Sequence, residues 1–91
     1  MARYFETFGN FLREARLAAE LSQAAVAQAF RFDQQLISNW ERGLSAPPVR
    51  TLKKFAKLYG ISVEDLYERL MEDSLRRTRL RLEAEIRRVA K

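Results

Sequence analysis

Ninety-one residues, 47% of them hydrophobic, set the scale of one small domain with enough apolar side chains for a core. Cysteine and histidine are both absent, which excludes a disulfide framework, a thiolate zinc site, a thiol nucleophile and the usual general base at neutral pH. The net charge of +5 favours a polyanionic partner.

The first predicted element is a helix over 6–20. Phe8, Leu12, Ala15 and Ala19 recur at three and four residues and form its buried stripe, which Phe5 and Phe11 widen. Ser22 is placed to cap a second helix, 23–30, whose Val26, Ala27 and Phe30 face inward. Arg31 and Phe32 make the turn, and Asp33 can cap a third helix running to about Arg42. Gly43 ends that helix, and Ala46-Pro47-Pro48 is a stiff connector with Pro48 in the first turn of helix 4. Leu52, Phe55, Ala56 and Tyr59 bury one face of helix 4, with Lys53, Lys54 and Lys57 outward. Gly60 stops it. Ser62-Val63-Glu64-Asp65 reads as a capping box for helix 5, with Val63, Leu66, Tyr67 and Leu70 inward.

Residues 71–91 form a separate segment, without Gly or Pro and rich in helix formers. Seven Lys/Arg stand there against four Asp/Glu, whereas residues 1–70 hold ten against eight. Leu75, Leu82 and Val89 are seven apart, and Arg79 and Ile86 fill the intervening seam positions. This is a short heptad pattern, and the expected role is oligomerisation through Leu75, Leu82, Ile86 and Val89. Parallel pairing, antiparallel pairing and docking on the domain are all open. The charged seam position weakens the parallel two-stranded form.

The third helix carries the chemistry. Leu36, Ile37 and Trp40 fall on one side at 3.6 residues per turn, and Gln34, Gln35, Ser38, Asn39 and Arg42 on the other. A solvated helix face usually carries Glu and Lys. Short uncharged hydrogen-bonding side chains opposite an apolar face suit a helix laid in the DNA major groove. There Gln and Asn pair with adenine N6 and N7, Ser reaches several base edges, and Arg takes guanine or phosphate. Leu36 borders that face, within reach of a thymine methyl group.

At Leu21-Ser22-Gln23, Ile37-Ser38-Asn39-Trp40-Glu41-Arg42-Gly43 and Tyr59-Gly60-Ile61-Ser62-Val63-Glu64-Asp65-Leu66 the chain resembles the lambda-repressor-like helix-turn-helix family. The likeness covers about residues 8 to 70. It implies an all-α, five-helix DNA-binding domain over 1–70, with 71–91 as a C-terminal helical extension. It also implies base contacts from Gln34, Gln35, Ser38 and Asn39, and phosphate contacts from Gln23, Arg42 and Ser45. A structural salt bridge between Arg16 and Glu41 is implied as well. Glu41 points inward beside Ile37, where a lone carboxylate is costly and a bidentate arginine resolves the cost. The sequence departs from the family at Arg31, where a glycine is usual because the turn favours positive φ. An arginine there costs about 1 kcal/mol.

The expected function is sequence-specific binding of double-stranded DNA by a homodimeric, repressor-type transcription regulator. It needs no cofactor, no metal and no enzymatic chemistry. The alternative is a protein-interaction module or antitoxin-like partner protein on the same fold, which should lose the polar groove face. No apolar run approaches the ~20 residues of a membrane span, and the N-terminus lacks a charged-then-apolar signal pattern. The expected location is the cytoplasm, nucleoid-associated in a bacterium or phage-encoded in a bacterial host.

Overall fold

A computed structural model describes residues 3–90, so positions 1, 2 and 91 of the two expected segments lie outside the described residues. Among those described, the chain forms five α-helices, one 3-10 turn and no strand. They are α1 (Glu6–Ala18), α2 (Gln23–Phe30), α3 (Gln34–Glu41), α4 (Leu52–Tyr59) and α5 (Val63–Val89), with the 3-10 turn at Val49–Thr51 before α4. The fold class is the all-α, five-helix architecture that the sequence implies.

The core is where the five helices meet. Phe8, Leu12, Val26, Ile37, Leu52, Phe55 and Leu66 are fully buried there, one or more from every helix. An aromatic row crosses it. Phe30 packs on Phe55 at 4.2 Å between centroids, and Trp40 meets Phe32 and Phe55 edge-on at 5.6 and 6.1 Å. Such edge-to-face pairs add to simple burial because ring edges are positive and faces negative. Trp40 is therefore core, 4% exposed, and has no free ring face for a base.

Four helices close with the same device. A left-handed residue after the last turn lets two backbone N–H groups reach back to orphan carbonyls. Gly60 and Gly43 fill that position after α4 and α3, with φ of 69° and 76°. Glu20 and Arg31 fill it after α1 and α2, both at φ 58°. At the α2 end, Arg31 N donates to Gln28 O and Phe32 N to Ala27 O at 3.2 and 2.9 Å. Arg31 thus adopts the glycine-type conformation, and the turn keeps its shape despite the Cβ. At the α1 end, Glu20 N donates to Leu17 O and Leu21 N to Arg16 O. This stops α1 at Ala18, two residues before the position read from the apolar stripe.

Gly9 has a different task. A Cβ there would lie 2.6 and 2.7 Å from the carbonyl oxygens of Trp40 and Glu41. Its absence lets α1 lie directly against the end of α3. Phe5 N donates to Gly43 O at 3.1 Å and holds Phe5 alongside the end of α3.

Three local readings need correction. Pro48 does not enter helix 4. It precedes the 3-10 turn, and Thr51 donates to its carbonyl from both N and Oγ1. Ser62 is the residue before α5 but makes no capping bond, because its hydroxyl donates to Glu64 Oε2 at 2.9 Å. Tyr67 is 42% exposed, since it lies one ~100° step around the helix from buried Leu66.

The longest element is α5, which continues through residues 70 and 71 without a break. Asp73 on it is fully buried and accepts the N–H of Phe8 at 2.8 Å. Phe8 N is one of the free donors in the first turn of α1, whose own N-terminal residue Phe5 supplies no side-chain cap. Asp73, 65 residues away in sequence, does that task. Arg76, one turn on, pairs with the same carboxylate.

Candidate nucleic-acid interface

Helix α3 is fastened at both ends and along its back. Asp33 Oδ1 accepts Gln35 N at 2.9 Å at its start, as Ser22 Oγ accepts Ala25 N at 3.0 Å for α2. Both capping residues stand where the sequence places them. Ile37, Trp40 and Glu41 are buried along the back.

The sharpest geometry is at Glu41, 2% exposed. Arg16 Nε donates to its Oε2 at 2.6 Å and Nη2 to its Oε1 at 3.0 Å. Arg16 Nη1 donates to Leu21 O at 2.7 Å. Gln23 Nε2 adds a further bond to Glu41 Oε1 at 3.0 Å. Donation to the Glu41 carboxylate holds the Arg16 guanidinium above its ordinary pKa, against the opposing effect of burial. A charged arginine thus ties α1, the start of α2 and the end of α3 together. Gln23 is half-buried, and its side chain turns partly into this network. That engagement is not evident from sequence.

The opposite side of α3 faces solvent. Gln34 and Gln35 are exposed, and Ser38 and Asn39 are half-buried. Gln35 Nε2 donates to Asn39 Oδ1 at 3.0 Å, and Arg42 Nη2 donates to the same oxygen at 2.9 Å. The three side chains form a braced row along the helix. Among the described residues nothing takes the amide N–H groups of Asn39, or the carbonyl oxygen and second N–H of Gln35. Leu36, 39% exposed, borders the row.

Two surface recesses flank this row. Gln23, Asp33, Gln34, Gln35 and Ser38 line one. Arg3, Asn39, Arg42, Leu44 and Ser45 line the other. The structure therefore groups all seven residues singled out for DNA contact along one face. It adds Arg3, which sequence reasoning missed. No periodicity marks Arg3; the packing of Phe5 and Glu6 against Gly43, with the Phe5–Gly43 backbone bond, brings it to this place. Lys53, Lys54 and Lys57 are exposed on α4. Lys54 is committed elsewhere, donating to Ala29 O at 2.7 Å and lying 4.6 Å from the centre of the Phe30 ring.

The tail residues Leu75, Leu82, Ile86 and Val89 are all exposed on α5, at 62, 52, 65 and 82%. Among the described residues no cluster of three or more Asp or Glu is arranged to hold a metal ion. No helix among them is long and apolar enough to cross a membrane.

Two N-capped short helices joined by a tight turn, with a solvated amide row on the second, are the form of a helix-turn-helix unit. The helix-turn-helix family model matches residues 12–66, more than half of the chain. The chain belongs to the lambda-repressor-like helix-turn-helix family. It is similar to the cryptic phage CTXphi transcriptional repressor RstR of Vibrio cholerae, 29% identical over 59 residues. That match covers 65% of this chain and 53% of the repressor. It is also similar to the HTH-type transcriptional regulator DdrOP3 of Deinococcus deserti, 39% identical over 57 residues, covering 63% of this chain and 44% of the regulator. The chain spans about half the length of these curated relatives. No solved structure is a significant match.

Proposed function

We propose that this chain is a DNA-binding transcription regulator of repressor type. It reads double-stranded DNA as a homodimer, with α3 of each copy in the major groove. The observation that carries this reading is the braced amide row on α3, solvated between two recesses while the back of the same helix is locked into the core. The relatives, a repressor and a transcriptional regulator by name, support it.

In this reading Gln34, Gln35, Ser38 and Asn39 meet base edges. Gln35, held by Asn39, presents one acceptor and one donor side by side, the pair that adenine N6 and N7 require. Gln23, Arg42, Ser45 and Arg3 meet the phosphates on either side and set register without reading sequence. The Arg16–Glu41 pair is structural and orients α3.

The test begins with selection of a preferred site from random duplex DNA. Gln34→Ala and Gln35→Ala should each then lose about 1–3 kcal/mol on that site while binding random DNA unchanged. Wild-type affinity of both variants for the preferred site would show that α3 is not the reader.

A further inference from the structure

Helix α5 has two faces with different fates. Leu66, Leu70 and Asp73 face the domain. Past Asp73 the same side continues as Arg77, Leu80, Arg81, Ala84 and Arg88, which form a recess with Tyr4. Stepping ~100° per residue puts Met71, Leu75, Leu82, Ile86 and Val89 on the opposite side, all within about 40° of one line. Each of the five is more than half exposed. Because α5 is one unbroken helix, its own domain cannot fold back to cover that line. Near its start the stripe opens into an apolar recess lined by Tyr67, Met71 and Leu75, with Glu68 and Glu72 at the edges.

The charges along α5 are polarised. Residues 63–73 hold Glu64, Asp65, Glu68, Glu72 and Asp73 against the single base Arg69. Residues 76–88 hold six arginines against Glu83 and Glu85. Two copies in parallel would set acid beside acid and base beside base. Two copies in antiparallel order about an axis between Thr78 and Arg79 would bring the acidic start of each helix, with Glu68 and Glu72, to the Arg87 and Arg88 end of the other. Arg76, Arg77, Arg79 and Arg81 flank that axis and stand beside their counterparts in either order. The stripe has the matching symmetry. Met71 and Ile86 are equidistant from the midpoint between Thr78 and Arg79, and so are Leu75 and Leu82. A two-fold axis at that midpoint lays Met71 on Ile86 and Leu75 on Leu82 of the other copy. Arg79, beside the axis, is already neutralised by Glu83 at 2.8 Å.

We infer that the outward face of α5 is a self-association surface that takes a second copy of this chain in antiparallel orientation, Met71 against Ile86 and Leu75 against Leu82. The inference rests on the homodimeric reading above and adds the surface, the direction and the register.

The chain lacks cysteine, so single cysteines report contacts directly. Met71→Cys and Ile86→Cys are prepared as full-length chains, separately and mixed, and oxidised with copper–phenanthroline. The mixture should cross-link several-fold faster than either variant alone. Leu82→Asp should move the full chain from dimer to monomer in sedimentation equilibrium. That monomer should still melt cooperatively with its helix content kept, because Leu82 is exposed and lies outside the core cluster. Its melting temperature should fall only by the share that pairing contributes. Self-cross-linking of each variant without the mixed product would overturn the antiparallel order and leave a parallel dimer. A wild-type chain that sediments as a monomer at high concentration would overturn the dimer itself. Loss of specificity in the α3 variants is independent of both outcomes.

Discussion

Tyr59 is buried, and its hydroxyl has no hydrogen-bond partner among the described residues. Desolvation, reinforced by the field of Glu41, raises its pKa well above the ordinary phenol value near 10, with Arg16 opposing. The neutral form is thus favoured in the folded chain. Above pH 10 the unfolded chain ionises this group and the folded one does not, so its contribution is complete below that pH and is lost as pH rises beyond it. An unpartnered buried hydroxyl costs about 1–3 kcal/mol. Tyr59→Phe should therefore raise the melting temperature at neutral pH. It should also flatten the fall in stability between pH 10 and 11.5, measured by thermal melts across that range. An unchanged or lowered melting temperature with the same alkaline slope would mean that the hydroxyl finds a partner in solution. Glu41 sits close by in the opposite condition, with both carboxylate oxygens bonded, which is why the core tolerates its charge.

At the level of elements, local chemistry made much of the molecule legible. The caps Ser22 and Asp33, the apolar faces of α1 to α4 and the amide row on α3 follow from short-range spacing. The functional face is readable because a helix places i, i+4 and i+8 together whatever surrounds it. What spacing does not encode is contact between distant segments. Asp73 falls on the inward line of α5 with Leu66 and Leu70, a placement that flags an unusual carboxylate but not its partner. Only the packing of α5 on α1 brings it to the N–H of Phe8. Gly9 and Arg3 were opaque for the same reason. Asp73→Ala should remove the side-chain cap that Phe8 N finds at the start of α1 and destabilise the fold by about 1–2 kcal/mol. Asp73→Asn, which keeps an acceptor, should lose less. Chemical denaturation of both variants tests this, with amide exchange at Phe8 as the local report. Equal losses would assign the effect to charge rather than to the cap.

Across the whole molecule, the described residues extend 51 Å in one direction and only 25 and 20 Å in the others. The excess comes from α5, whose 27 residues span about 40 Å at 1.5 Å each. The heptad spacing of the tail was visible in sequence. The join was not, because nothing local distinguishes a hinge at residue 70 from continuous helix until Leu70 and Asp73 are seen on the same packed face.

That continuity makes α5 a torsion shaft. Whatever grips its far half is keyed in angle to the helix-turn-helix domain on its near half, with no slack to absorb a mismatch. One residue inserted between Ser74 and Leu75 would rotate the far half by about 100° while lengthening the helix by only about 1.5 Å. Residues 75–89 would keep their mutual register and the domain its core, while Met71 would leave the seam and Arg77 the rings of Tyr4 and Phe5. The chain should therefore still fold and pair through Leu75 and Leu82, with a lowered melting temperature. The separation and phase of two recognised half-sites should nevertheless change, as read by selection from duplexes with variable spacers. An unaltered spacer preference would show that the distance between reading heads is gauged elsewhere, and that the shaft turns freely of the DNA.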